Sequence, residues 1–140
     1  MKVAIYGQSF QPEDQQCVEE LLDELKKSSA SIYVEENFNK LVGNILKEEV
    51  KGTFTQSEGL DPSFDMFVSF GGDGTMLRAV TYIKDYGIPI VGVNTGRLGF
   101  LSTFKKANVR KLVTEFEAGH YTIEERTLVE VELNTDLNEF

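Results

Sequence analysis

The stretch "VSFGGDGTMLRA", residues 68–79, decides how this chain folds. An apolar run ends at Gly71 and Gly72, a carboxylate follows at Asp73, and apolar residues then return as Met76, Leu77, Val80 and Ile83. "DG" alone is a common hairpin dipeptide, but a hairpin needs an alternating strand after its turn. The residues after Gly74 are helical in period, so the loop joins a strand to a helix. Loops of that kind line the ligand crevice of open α/β sheets. Gly71, Gly72 and Gly74 let a ligand approach the main chain, and N–H groups at a helix start receive anions. Asp73 is itself an anion, and its presence there is what needs explaining.

Outward from this junction, strands and helices take turns. "KVAIYG" (2–7) reads as a strand. Pro12, Glu13 and Asp14 suit the start of a helix that carries Val18, Leu21, Leu22 and Leu25 and ends in Lys26 and Lys27. "SIYVEE" (31–36) is a second strand, and Phe38, Leu41, Val42, Ile45 and Leu46 trace a second helix. Residues 51–64 have turn residues and no period, which predicts a loop. "DMFVSFGG" (65–72) predicts a strand buried on both faces, followed by a helix closing near Gly87. "IPIVGVNT" (88–95) is a further strand and "GRLGFLS" (96–102) a turn. Val109, Leu112, Val113 and Phe116 give a last helix, ended by Gly119.

Strand and helix alternate about four times, which predicts an open, mostly parallel sheet with flanking helices. The pattern then changes. "YTIEERTLVEVEL" (121–133) alternates apolar and charged residues from Leu128 to Leu133, as a half-exposed antiparallel strand does. A lone strand of that kind has nothing to pair with. The expected organisation is therefore an α/β domain over 1–119, with 120–140 as linker and first strand of a β-rich domain at whose start the sequence is cut.

The 140 residues suffice for one domain with a hydrophobic core, and 41% hydrophobic with 26% charged residues is ordinary for a soluble chain. No apolar span approaches the ~20 residues of a membrane helix, and the start reads as a strand rather than a signal peptide. The single Cys17 excludes an internal disulfide and a cysteine metal cluster, which favours a cytoplasmic setting. Net charge is −9, and the densest basic patch is only "FKKANVRK" (104–111), so no nucleic-acid surface is expected. A polyphosphate ligand would be repelled at long range. Its charge would have to be met locally, by backbone amides, Mg²⁺ or a few placed cations. The first strand is followed by "GQSFQPE" (7–13), not G-x-G-x-x-G, and no G-x-x-x-x-G-K-[ST] occurs.

Three roles suit Asp73: a turn or helix-cap residue, a Mg²⁺ ligand for a nucleotide phosphate, or an acceptor of a proton from a substrate hydroxyl. A helix start favours its ionised form. Arg78, one turn further on, and Arg97 can meet phosphate charge, although arginine is ordinarily a solvent-exposed residue. Phe100 is of a type more often core than ligand platform, though its glycine neighbour leaves a face open. His120, the only histidine, follows Gly119 at a helix end, where a dipole contact accounts for it.

"GGDGT" (71–75) followed by "VGVNTGRLGFLS" (91–102) resembles the NAD kinases, which phosphorylate the 2′-hydroxyl of the adenosine ribose of NAD. Diacylglycerol kinases share "GGDGT" and phosphofructokinases carry a close variant, so the second motif, with its N-T-G-x-L-G-F core, is what singles out NAD kinases. "KVAIYG" (2–7) and "EERTLVEVEL" (124–133) also suit the family, and the resemblance covers essentially the whole chain. It implies an α/β amino-terminal domain before a β-rich carboxyl-terminal one, assembled as dimers or tetramers. It implies Asp73 as the proton acceptor, Gly74 beside it in contact with NAD, and Arg78 and Phe100 as contributors to the dinucleotide site. ATP or inorganic polyphosphate would be the donor, with Mg²⁺ or another divalent cation. The family's second domain supplies an N-[DE] dipeptide; Asn138 and Glu139 lie too early to be that motif and are read as coincidence. The 140-residue chain alone is therefore expected to be inactive. The alternatives are a lipid or sugar kinase of the same superfold and a non-catalytic nucleotide-sensing domain in which Asp73 only caps its helix.

Overall fold

Val3 and Ile5 point to one side of the first strand, Ala4 and Tyr6 to the other, and all four are buried. A strand covered on both faces belongs in the middle of a parallel sheet. The computed structural model describes residues 1–45, 50–97, 99–102, 104–129 and 131–132. Its strands are β1 (Lys2–Gly7), β2 (Ser31–Glu35), β3 (Val50–Phe54), β4 (Met66–Phe70), β5 (Ile90–Asn94) and β6 (Phe104–Lys105). Its α-helices are α1 (Gln15–Lys27), α2 (Glu36–Val42), α3 (Asp73–Ile83) and α4 (Val109–Glu117). The strands form one sheet in the order β3-β2-β1-β4-β5-β6, and every neighbouring pair is parallel.

The order turns around between β1 and β4. From β1 the chain winds outward through β2 to β3, then returns to β4 and winds the other way to β6. With crossovers of one hand, the crossover helices α1 and α2 fall on one face and α3 on the other, while α4, which follows β6, returns to the α1 face. Val18, Leu21, Leu22 and Leu25 of α1 and Val109, Leu112 and Val113 of α4 pack with Val3, Ile5, Val68 and Val93 on one face. Ala79 and Ile83 of α3 pack with Ala4, Tyr6, Phe54 and Phe67 on the other. Each fully buried leucine or valine contributes about 1.5–3 kcal/mol relative to exposure. Arg110 of α4 bridges Glu20 and Glu24 of α1 at 3.6 and 3.0 Å, along the seam between the helices.

The strands and helices expected within 1–119 are all present, the later strands one or two residues shorter at an end. Within that span three expectations need correction. Residues 51–54 of the expected loop instead belong to the edge strand β3, which pairs with β2 through Tyr33↔Gly52 and Glu35↔Phe54. "VKGTF" carries too few apolar residues to announce itself, and only the neighbouring strand recruits it. A two-residue strand, β6, also lies inside a segment with no strand pattern. The second helix ends at Val42 and continues only as a 3₁₀ turn to Ile45, Leu46 lying outside the described residues.

The alternating tail forms no strand among its described residues. Leu128, Val129 and Val131 stand exposed, and Leu133, Asn138 and Glu139 lie outside the described residues. A strand needs a neighbour for its N–H and C=O groups, and none of the described residues offers one there. Tyr121 stacks on Phe116 at 4.9 Å. His120 lies 3.3 Å from Glu115 at the end of α4, so a carboxylate partner joins the helix-end placement that accounts for it. No described helix is long and apolar enough to cross a membrane. Cys17 is buried in α1, and burial pushes its thiol up to about 12, leaving it inert.

Candidate functional site

Ligands of open α/β sheets bind outside the carboxyl ends of the strands, where the strand order reverses. Here that point lies between Gly7 and Phe70, paired residues at the ends of β1 and β4. Three loops meet along this edge: the one after β1, the one from Gly71 to Thr75, and the one after β5. Gly71 has φ +146°, and a Cβ there would run into the Thr75 side chain. Thr75 is nearly buried and donates from its hydroxyl to Oε1 of Gln8 at 3.1 Å, tying the first two loops across the reversal.

Asp73 ties the second loop to the third. It is the first residue of α3, and its carboxylate bonds reach the neighbouring loop rather than its own helix. The Phe100 N–H donates to Oδ2 at 2.9 Å; the Leu101 and Ser102 N–H groups donate to Oδ1 at 2.9 and 3.1 Å. The Ser102 hydroxyl donates to the Gly71 carbonyl at 2.9 Å, closing the connection from the other side. The N–H groups of Leu101, Phe100 and Ser102 hold the Asp73 carboxyl below the usual aspartate value, against a smaller opposing effect of desolvation. The group is therefore ionised at neutral pH. A carboxylate has about four acceptor positions, two on each oxygen. Oδ1 uses both, whereas Oδ2 keeps one beside the Phe100 N–H among the described bonds.

The third loop is held by Asn94, the buried last residue of β5. Its Nδ2 donates to the carbonyls of Arg97 and Ser102 at 2.5 and 3.0 Å, and its Oδ1 accepts from the Gly96 N–H at 2.9 Å. Sequence reasoning passed over Gln8, Thr75, Asn94 and Ser102. Asn94 had a signal: asparagine before Thr-Gly at a strand end favours a side-chain-closed turn. The partners of Gln8, Thr75 and Ser102 are distant in sequence, and nothing local foretells them.

The residues singled out from the sequence are brought together only in part. Gly74 is exposed beside Asp73, with open space where a Cβ would stand. Phe100 joins Asp73 through its backbone N–H, and the residue is 91% exposed, so it is not a core residue. Arg78 is exposed on α3, and its charge is felt at Tyr6 and Tyr82 but not among the influences on Asp73. Arg97 is exposed on the third loop, where its carbonyl serves Asn94. An open groove lined by Asn39, Lys40, Gly43 and Thr53 lies at the β3 edge, away from Asp73.

Among the described residues no three of His, Cys, Asp or Glu group as metal ligands. Asp73 already spends three acceptor positions on N–H donors. This donor set does not fit a divalent ion held by the chain itself.

Fold and site together define a doubly wound α/β domain whose reversal point is lined by glycine-rich loops around an ionised aspartate. The family model described as the ATP-NAD kinase N-terminal domain matches residues 3–121, and the chain belongs to that family. An NAD kinase of Christiangramia forsetii is 38% identical over 136 residues, covering 96% of this chain and 46% of the relative. One of Cytophaga hutchinsonii is 38% identical over 150 residues, covering 100% and 51%. The chain thus spans about half the length of the curated relatives it matches. The crystal structure of yeast NADH kinase complexed with NADH matches with a TM-score of 0.65 and 21% identity, over 84% of this chain and 38% of that one. That likeness is one of fold.

Proposed function

We propose that this chain is the amino-terminal part of an NAD kinase, which phosphorylates the 2′-hydroxyl of the adenosine ribose of NAD to give NADP. Family membership supports the substrate, and the state of Asp73 supports the role. The observation that carries the reading is an ionised carboxylate at the sheet's reversal point, fixed by three N–H groups, with an acceptor position left on Oδ2.

In the proposed reaction the ribose 2′-oxygen attacks the terminal phosphorus of ATP. The new O–P bond forms as the bond from that phosphorus to its bridging oxygen breaks, ADP leaves, and the 2′-hydroxyl proton passes to Oδ2 of Asp73. A carboxylate held below its usual pKa is a weak base, so it takes the proton late and serves first to orient the hydroxyl. That suits phosphoryl transfer, in which positioning and electrostatics supply most of the catalysis.

Gly74 and Phe100 flank Asp73 and are assigned to the dinucleotide, Gly74 through its open main chain and Phe100 through its bare ring. Arg78 is assigned to the outer part of the same site, by its exposure one turn along α3. Polyphosphate remains a second donor to be assayed. A divalent cation would arrive with the donor's phosphates and neutralise the transferred group. The proposal also takes a cytoplasmic setting, a homo-oligomer for the intact protein, and a domain boundary near Gly119.

The test is NADP formation by the intact protein from NAD, with ATP or polyphosphate. Turnover should fall by about 10² or more in Asp73→Asn, on the scale of a lost general base. Undiminished turnover would remove the role of Asp73. Phosphorylation of a lipid or sugar in preference to NAD would remove the substrate. The 140-residue chain alone should form no measurable NADP.

A further inference from the structure

We infer that Asn94 is a positioning residue for Asp73: its carboxamide sets the loop whose N–H groups aim the Asp73 carboxylate. The inference rests on the role proposed above for Asp73. Asn94 touches no reacting atom and acts through the loop.

The carboxamide of a buried asparagine brings two N–H donors and one oxygen, and leaving any of them unmet is unfavourable. All are met here, by groups of a single loop. Gly96 and Arg97 lie at its start and Ser102 at its end, so one side chain closes both. Gly96 N–H to Asn94 Oδ1 is an ordinary asparagine turn, formed two residues on. The bond from Nδ2 to the Ser102 carbonyl spans eight residues and is not part of any such turn.

Ser102 is where this closure meets the site. Its carbonyl is held by Asn94, its N–H points at Asp73 Oδ1, and its hydroxyl holds Gly71. It is 1% exposed, with Asn94 at 6%, so water does not readily replace these bonds. A satisfied polar network at low dielectric is stiff and specifies a single geometry. Phe100 and Leu101 have no such anchor of their own among the described side-chain bonds, and their N–H directions follow from the closure at Ser102.

The residue type matters at this position. Aspartate would keep the acceptor for Gly96 but set a carboxylate against two carbonyl oxygens. Alanine would leave three polar groups unmet. Serine would keep an acceptor and a single donor.

The experiment uses the intact protein with Asn94→Ala and Asn94→Ser, following amide hydrogen exchange at Phe100, Leu101 and Ser102 together with kcat and KM for NAD. Exchange at the three amides should quicken at least tenfold in Asn94→Ala, while amides of α1 keep wild-type rates. The kcat should fall about tenfold or more, within the ~10² that an ångström of misplacement costs, with KM changing less. Asn94→Ser should fall between wild type and alanine. Wild-type exchange at 100–102 or wild-type kcat in folded Asn94→Ala overturns the inference. If that variant does not fold, the same result in Asn94→Ser overturns it. The two readings fail separately: active Asp73→Asn removes the base and leaves the exchange result standing, whereas unmoved exchange removes Asn94 and leaves Asp73 in place.

Discussion

The carboxylate of Asp73 occupies the space that a side chain on Gly99 would need. The glycine of the second motif is therefore explained by the aspartate of the first, across the gap between two parallel strands. Gly99→Ala should push the carboxylate out of its three N–H bonds. The expected outcome in the intact protein is a fall in turnover of about 10- to 100-fold, with about 1–3 kcal/mol lost to overpacking. Steady-state kinetics and denaturant unfolding check the two together. Wild-type kinetics would show that the cradle is dispensable.

The same N–H groups fix the sign of a pH effect. An aspartate whose folded pKa is lowered adds stability above its unfolded value and loses that contribution as pH falls through the folded value. The N–H groups of Leu101, Phe100 and Ser102 hold Asp73 below the ordinary aspartate value. From about pH 5 to 8 it should stay ionised, so the pH profile of kcat should show no acid limb from Asp73. Carbon-13 NMR of the labelled carboxylate measures this directly; a midpoint above the ordinary aspartate value contradicts it.

Phe100 separates binding from folding. The residue is 91% exposed, so Phe100→Ala should change stability by no more than about 0.5 kcal/mol. Its backbone N–H to Asp73 survives the substitution. If the ring meets the dinucleotide, KM for NAD rises several-fold while melting stays in place. Unchanged KM would remove Phe100 from the site.

Leu21 tests the frame that carries the loops. It is fully buried in α1, among Val3, Ile5 and the leucines of its own helix. Leu21→Ala should cost about 2–5 kcal/mol of unfolding free energy through lost transfer energy and a residual cavity. Denaturant titration of the intact protein reads it, and a loss under 1 kcal/mol would mean the helix does not seal that face.

Much of the architecture was legible because its signals are local. Helical spacing at Val18, Leu21, Leu22 and Leu25 and short, mainly apolar runs at 66–70 and 90–94 identify elements without knowledge of the rest. Helical period after Gly74 excluded a hairpin and placed Asp73 at a strand-to-helix junction, where it lies. β3 was not legible, since Lys51, Gly52 and Thr53 read as loop until β2 lends its hydrogen-bonding edge. The tail from Tyr121 shows the opposite case, a strand pattern whose described residues meet no partner.

Residue order alone specifies an alternating parallel α/β chain with a carboxylate among glycines at the carboxyl edge of a buried strand. It left open whether that carboxylate caps a helix, holds a metal or accepts a proton. Which groups surround it follows from the packing of the sheet. Its partners lie 27 to 29 residues away, in the loop after β5. They reach it because β4 and β5 pair in parallel with Phe70 opposite Val93, bringing their outgoing loops side by side. A strand–helix junction is written in neighbouring residues, but the direction of a hydrogen bond between two loops is set by the sheet that aligns them.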